Sequence, residues 1–324
     1  MDAVSENMGG DRINKRIDEG TLAQLASAAG ISGERQEAFA AAVQAYHTGP
    51  KLVIERDTLK FWANVARDRN PIHLYPIYAQ ESEFEFKDTP AHATLIAAHV
   101  EQYINGLASI VNRFLDGEQG AQVEKFEYAG QNLSFKRPLY PDKTLEWTFS
   151  EPKISDGALV LSLSGVNEKG KPIVEPIDKK PNVVLRRSPL LSPPYLGRFV
   201  GESPLIKDSA RLTSDELKDF YRCIGKPSAV EFPFMYAAAL VPSALLEFIR
   251  AKTGKYQGVY ASQDFMFHNP PKIGEFQILI HLAGAPVFKR RYNEYPLNAL
   301  VMQGDSPILS GEVVCNTGPS VKLV

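Results

Sequence analysis

Asp68-Arg69-Asn70-Pro71-Ile72-His73 is the stretch on which the reading of this chain turns. It sets a carboxylate, a carboxamide and an imidazole around a proline whose ring fixes φ. A carboxylate and an imidazole this close can hold one water molecule between them. Histidine titrates near neutral pH, so the pair suits general acid/base work on water. Asn70 can orient that water, a substrate or a neighbouring side chain. The same residues also make a good turn, because Asx side chains bond nearby backbone. The surroundings separate the two readings. Residues 57–67, upstream, have helical spacing. Further on, with His92 nineteen residues beyond His73, Pro90-Ala91-His92-Ala93-Thr94-Leu95 opens a strongly apolar helix read over 90–115. Leu95, Ile96, Val100, Ile104, Leu107 and Val111 make it too apolar for a surface helix, so another layer must wrap it. Period-two runs at 123–135, 144–149, 158–166 and 183–187 supply strands for that layer.

These two motifs resemble those of the MaoC-like (R)-specific enoyl-CoA hydratase family. Its signature is Asp-x-Asn-Pro-x-His, followed by His-Gly at the head of the central helix of a hot-dog fold. Asp68, Asn70, Pro71 and His73 match the first motif; His92 matches the second, with Ala93 in place of the glycine. The resemblance implies an α+β fold in which a curved antiparallel sheet wraps one helix. It implies hydration of an enoyl thioester, or the reverse dehydration, with Asp68 and His73 catalytic and Asn70 orienting the water. Addition would be syn and the product an (R)-3-hydroxyacyl thioester. The enolate oxygen would meet the helix N-terminus, with substrate contacts at His92, Ala93, Thr94 and Tyr75. The substrate would be a coenzyme A or acyl-carrier-protein thioester, and neither a metal nor a redox cofactor is implied.

Some residues depart from the family pattern. Ala66-Arg67 replaces a small pair such as Ser-Gly, and Tyr75 replaces an acid two residues after the histidine. Arg67 and Arg69 could pair with Asp68 and lower its pKa, face solvent, or meet substrate phosphates. These changes leave two alternatives open. One is altered chemistry on a polyketide-like substrate. The other is a non-catalytic acyl-thioester-binding subunit, which would hold Asp68 and His73 further apart than one water spans.

The chain contains an internal repeat. Asp57-Thr58-Leu59-Lys60-Phe61 resembles Asp215-Glu216-Leu217-Lys218-Asp219, and an apolar helix over 234–249 parallels the one after Pro90. Gln131-Asn132-Leu133-Ser134-Phe135 resembles Gln263-Asp264-Phe265-Met266-Phe267, and β-rich runs at 144–149 and 275–281 follow. The reading is therefore a double hot-dog, two tandem modules sharing one sheet. A tail and helical extension fill 1–50, with helices divided at Gly30-Ile31-Ser32-Gly33. A catalytic module fills 51–188, a Pro-rich linker 189–210 and a degenerate module 211–324. The repeat puts Lys226, Ser228 and Glu231 where Asp68, Asn70 and His73 stand, and the irregular segment between motif and helix is missing. One active site per chain follows, and by resemblance the second half widens the acyl pocket.

Composition narrows the rest. A length of 324 residues, 44% of them hydrophobic, can bury a large core, and a net charge of −2 gives no reason to expect nucleic acid as a partner. Cys223 and Cys315 lie far apart, which suits a reducing, cytoplasmic setting with both thiols as buried filler. By this reading no apolar run approaches the ~20 residues that a membrane helix needs. Monomer and homodimer are both open. His92 and His99 share a helix face without a third metal ligand, and His99 reads as a core histidine. His47, His268 and His281 show no partner pattern. Tyr103 and Tyr75 are candidates for the acyl pocket or for aromatic core. Lys136-Arg137 and Lys289-Arg290-Arg291 are small basic clusters, read either as solvated strand ends or as phosphate contacts. No glycine-rich nucleotide loop and no Gly-x-Ser-x-Gly is present.

Overall fold

The computed structural model describes residues 16–48, 51–115, 124–187, 203–225, 232–256 and 258–323. Residues 1–15 of the tail, most of the linker, and Lys226, Ser228 and Glu231 lie outside the described residues. Two helices come first, α1 (Glu19–Ala29) and α2 (Arg35–His47). Asp18 starts α1 by accepting the Thr21 N–H at 2.8 Å, and Gly30 ends it with φ +80°. The first module follows: β1 (Leu52–Val53), α3 (Arg56–Val65), a 3₁₀ turn at Pro71–His73, α4 (Pro76–Glu81) and α5 (Ala93–Leu115). Its strands are β2 (Glu127–Phe135), β3 (Thr144–Ser155), β4 (Ala158–Val166), β5 (Pro172–Glu175) and β6 (Val183–Arg186). The second module comprises β7 (Ile206–Leu212), α6 (Ser214–Ile224), α7 (Phe234–Thr253), β8 (Gly258–Phe267), β9 (Gly274–Leu282), β10 (Val287–Phe288), β11 (Asn293–Gln303) and β12 (Ser306–Thr317).

Three features differ from the sequence reading. The segment read as irregular over 68–91 contains α4, started by Pro76, which suits the first turn of a helix. The linker read through 210 gives way to β7 at Ile206, whose ladder with β9 runs from Ile206↔Ile280 to Leu212↔Gly274. Alternation in β7 is polar except at Ile206, Ala210 and Leu212, so only its inward face carried a strand signal. Finally, α7 has 20 residues and is apolar enough to span a bilayer by length and composition, against the expectation. Here Met235 to Leu246 and Ile249 are buried inside the second module.

Both modules contribute to one antiparallel sheet, in the order β1-β3-β4-β5-β2-β8-β12-β11-β9-β7, with β6 on β2 and β4 and β10 on β11. The seam is β2 against β8, the two strands whose sequences repeat. Gln131 faces Phe265, Asn132 faces Asp264 and Leu133 faces Gln263. Under the repeat, Gln131 corresponds to Gln263 and Leu133 to Phe265. The two outer pairs therefore exchange about the central one, as a local two-fold requires. Pairing repeat with repeat satisfies both edges, which would otherwise expose unpaired N–H and C=O groups.

Helix α5 lies in the core, with Leu95, Ala97, Val100, Ile104, Leu107 and Val111 fully buried. The N-terminal extension covers it. The Tyr46 hydroxyl donates to the Tyr103 carbonyl at 2.9 Å, and Gly106 leaves the space that the Tyr46 ring fills. Tyr103 is aromatic core; its hydroxyl meets His47 Nδ1 at 2.5 Å and its ring stacks on Tyr46. His268 pairs with Ser310 Oγ at 2.8 Å. His99 is buried, and desolvation pushes its pKa down to about 4, so it is a neutral core residue.

Candidate active site

Helix α3 delivers the motif. Its buried face of Leu59, Trp62, Ala63 and Val65 packs inward, and the chain leaves the helix at Arg67 with φ +56°. That is the left-handed position where glycine usually ends a helix. An arginine is held there by three contacts, all to the second module. Its Nη2 donates to Glu216 Oε1 at 2.8 Å and to the Arg211 carbonyl at 2.8 Å, and its own carbonyl accepts from Ser243 Oγ at 2.9 Å. Arg67 therefore pairs with Glu216 rather than with Asp68, while Arg69 is exposed.

Asp68 is 5% exposed, and its Oδ1 accepts the Asn70 N–H at 3.2 Å. Burial raises its pKa above the ordinary aspartate value, against the lowering effects of His73 and of the Asn70 N–H. His73 Nδ1 lies 2.7 Å from the Pro90 carbonyl. A carbonyl can only accept, so Nδ1 carries a proton, and in the neutral ring the lone pair is on Nε2. The His92 ring stacks on His73, with centroids 3.9 Å apart and planes at 28°. His92 Nε2 lies 3.3 Å from the Asp68 carbonyl and 3.9 Å from Asp68 Oδ2. Burial, then the neighbouring His73, holds the His92 pKa well below the usual histidine value, so it is neutral with its proton on Nε2.

Asp68, His73 and His92 each offer an atom within 4.8 Å of the others, the one such cluster of potential metal ligands among the described residues. One water can bridge two groups at that separation, since each of its hydrogen bonds spans about 2.8 Å. The spacing expected of a non-catalytic subunit is therefore not found. As a metal site the trio is poorly set, because the His92 nitrogen turned toward Asp68 is an N–H donor rather than a lone pair.

A cavity of about 400 Å³ opens on this pair. Asp68, His73, Ala93 and Thr94 line it beside Phe135, Leu245, Leu246 and Tyr260. α5 enters it head first. The Ala93 and Thr94 N–H groups lie in the first turn and have no intrahelical acceptor; the Pro90 carbonyl that Thr94 would otherwise reach is turned to His73. The Thr94 hydroxyl accepts the Trp62 indole N–H at 3.1 Å. Lys136 and Arg137 also line the cavity, whereas Lys289, Arg290 and Arg291 are exposed and Lys289 pairs with Glu294. Cys315 lines it as a buried thiol whose pKa burial pushes up to about 12.

Three expected site residues take other places. Tyr75 is 55% exposed and packs beside Tyr78, outside the cavity wall. Its position at the start of α4 turns it to solvent. Asn70 is fully buried and both ends of its amide are used. Nδ2 donates to the Gly258 carbonyl of β8 at 3.0 Å, and Oδ1 accepts the Ile72 N–H at 3.3 Å. It fastens the motif to the second module and does not line the cavity. His92 is a backing plate for His73 and Asp68 rather than a wall of the cavity.

The corresponding helix head in the second module is closed. Glu101, on α5, is 1% exposed and accepts the Phe234 and Met235 N–H groups of α7, each at 2.8 Å. An internal carboxylate thus fills the position that the first module leaves open to its cavity. Glu101 could not be picked from the sequence, because its partners lie more than 130 residues away.

Fold and site together define a double hot-dog protein in which Asp68 and His73 meet at the wall of a cavity in the first module. No family model matches the sequence, and no curated protein matches it. Solved structures do. A Chloroflexus aurantiacus protein described as a MaoC domain dehydratase is 11% identical, with TM-score 0.57 over 83% of this chain and 93% of that one. A Mycobacterium tuberculosis protein described as having a double hot-dog fold is 10% identical, with TM-score 0.55 over 83% and 93%. A MaoC-like dehydratase of Phytophthora capsici is 14% identical, with TM-score 0.50 over 80% and 92%. The chain therefore has the double hot-dog fold, in the architecture shared with MaoC-like dehydratases.

Proposed function

We propose that this protein catalyses the reversible hydration of an enoyl thioester, or equally the dehydration of the 3-hydroxyacyl thioester. One observation carries the reading: Asp68 and His73 present oxygen and nitrogen within 4.8 Å at the wall of a cavity headed by a helix N-terminus. Water held between them loses a proton to the His73 Nε2 lone pair, and its oxygen forms a bond to the β-carbon. The π electrons move to the thioester oxygen, which becomes an enolate. The Ala93 and Thr94 N–H groups and the α5 dipole favour that charge. A proton is then delivered to the α-carbon from the protonated partner of the pair. Asp68, with its raised pKa, is suited to hold that proton. Both groups act from one side of the substrate, which gives syn addition. Lys136 and Arg137 suit the phosphates of coenzyme A or of a carrier-protein arm, and the chemistry needs no redox cofactor.

The test is the loss of enoyl-thioester ultraviolet absorbance with crotonyl-CoA and a longer enoyl-CoA. Turnover by wild type, with Asp68→Asn and His73→Ala each lower by about 10²–10⁴-fold, supports the reading. A folded wild type that binds acyl-CoA but leaves both substrates unchanged refutes it.

A further inference from the structure

A hairpin beside the cavity presents side chains that hydration does not use. β10 and β11 are joined through Lys289-Arg290-Arg291-Tyr292, a tight turn closed by the Lys289 N–H donating to the Tyr292 carbonyl at 2.9 Å. β10 pairs with β11 alone, so the hairpin leaves the main sheet. Val287 and Phe288 are neighbours in β10, and neighbouring strand residues point to opposite faces. They are 46% and 59% exposed, so both faces of the hairpin stand clear of the body. Its base is fixed, because Asn293 is buried and its Nδ2 donates to the Val321 carbonyl at 2.7 Å. The chain thus holds two large apolar side chains out in water on a firm support.

Cations surround them. Lys289, Arg290 and Arg291 follow directly in sequence, and Lys322 Nζ lies 5.9 Å from the Phe288 ring centroid. Glu294, the acid of this hairpin, is paired with Lys289 at 2.7 Å. Arg290 and Arg291 are exposed and have no ion pair or hydrogen bond among the described residues. This cluster is positive in a chain whose net charge is −2. Acids near the cavity, Glu83 and Glu85, belong instead to the segment of Phe84 and Phe86. The hairpin also stands where the cavity opens. Asn293 at its base faces Thr317, Thr317 faces Gly258, and both Gly258 and Tyr292 line the cavity.

We propose that this hairpin docks the protein on an anionic lipid surface. Val287 and Phe288 enter the boundary between headgroups and acyl chains, and Arg290, Arg291 and Lys322 meet headgroup phosphates. The cavity then opens beside the bilayer. Other occupants fit less of what the hairpin offers. A stable protein interface takes about 800 Å² from each partner, more than a tip with two apolar side chains supplies. The phosphates of coenzyme A suit the arginines but leave Val287 and Phe288 in water. A bilayer takes up both kinds of side chain. The docking does not depend on the reaction in the cavity.

The experiment is co-sedimentation of the full chain with phosphatidylcholine vesicles, with and without phosphatidylglycerol, at low and high salt. Wild type is expected to bind the mixed vesicles, to leave the neutral ones largely unbound, and to bind less as salt rises. Replacing both arginines, Arg290→Ser with Arg291→Ser, should weaken binding about thirtyfold, and Phe288→Ser about tenfold. Ile273→Ser removes an exposed apolar side chain at the far end of β9 and should bind as wild type does. The proposal is overturned if wild type shows no preference for the anionic vesicles, or if both hairpin variants bind them as well as wild type. It is overturned too if the arginine variant binds lipid as before but has a raised crotonyl-CoA KM, which assigns the arginines to coenzyme A. A dimer found in place of lipid binding, and lost in Phe288→Ser, assigns the hairpin to a second copy of the chain and also overturns it.

Discussion

Glu101 gives the sharpest quantitative expectation. It is 1% exposed, and burial pushes its pKa from 4.5 up to about 7 even though two backbone N–H groups of α7 favour the charged form. A carboxyl with a raised pKa holds its proton more tightly in the folded chain than in the unfolded one. Between about pH 4.5 and 7 the native state therefore binds more protons, and stability falls as pH rises. At 1.36 kcal/mol per pKa unit, the distance from 4.5 to about 7 amounts to about 3 kcal/mol. The buried histidines act in the opposite sense. His99 and His268 are pushed down to about 4, and His92 well below its ordinary value, so each favours the folded state as pH rises toward 6.5. The stability of wild type alone therefore mixes opposing slopes. The difference between wild type and Glu101→Gln cancels the histidines, because both proteins share them. Chemical denaturation of the two at pH 4.5 to 8 should show wild type losing about 3 kcal/mol relative to the variant. A difference that is flat within about 1 kcal/mol, or that rises with pH, would refute the account of Glu101 as a buried, raised carboxyl.

Other substitutions test the remaining contacts. Asn70→Ala leaves the Gly258 carbonyl and the Ile72 N–H without their partner and should cost about 1–3 kcal/mol of stability along with activity; a fully stable protein that has lost only turnover would return Asn70 to the role of holding water. Arg67→Gly relieves a left-handed φ at the expense of a half-exposed ion pair, so its melting temperature should lie within a few degrees of wild type. Arg67→Val, β-branched at the same φ, should melt clearly lower, and equal melting of the two would discount strain at this position. With Asp68 as the acid of hydration, the limb on which activity falls with rising pH should sit above the ordinary aspartate pKa and change shape in Asp68→Asn, as stopped-assay kinetics across pH would show.

Much of this was legible in the sequence, for physical reasons. A helix apolar on nearly every side needs a wrapping layer, and the length of α5 announced one. Gln131–Phe135 and Gln263–Phe267 resembled each other because both are seam strands with the same inward alternation. Asp68 and His73 were readable because proline and a 3₁₀ turn hold them at short sequence distance, so local geometry decides their approach. What could not be read depends on distant backbone. The letters of Asn70 suggest a water ligand, and only a carbonyl 188 residues away turns it into a fastener. Arg67 suggests a partner for the adjacent carboxylate, yet Glu216 of α6 takes it. Tyr75 has an aromatic side chain like a pocket residue, but α4 points it outward.

The way the motif is anchored bears on how such a chain can vary. Two of the groups that grip it from the second module, the carbonyls of Gly258 and Arg211, belong to the main chain. A main-chain carbonyl is offered by every amino acid, so the gripping atoms survive most replacements at those places. Gly258 is the exception, for steric reasons: a Cβ there would fall 2.8 Å from Ile249 Cδ1. The first half thus depends on the path of the second half far more than on its composition. A partner that serves through its path can lose its own acid/base residues, and change most of its surface, without loosening the pair it supports.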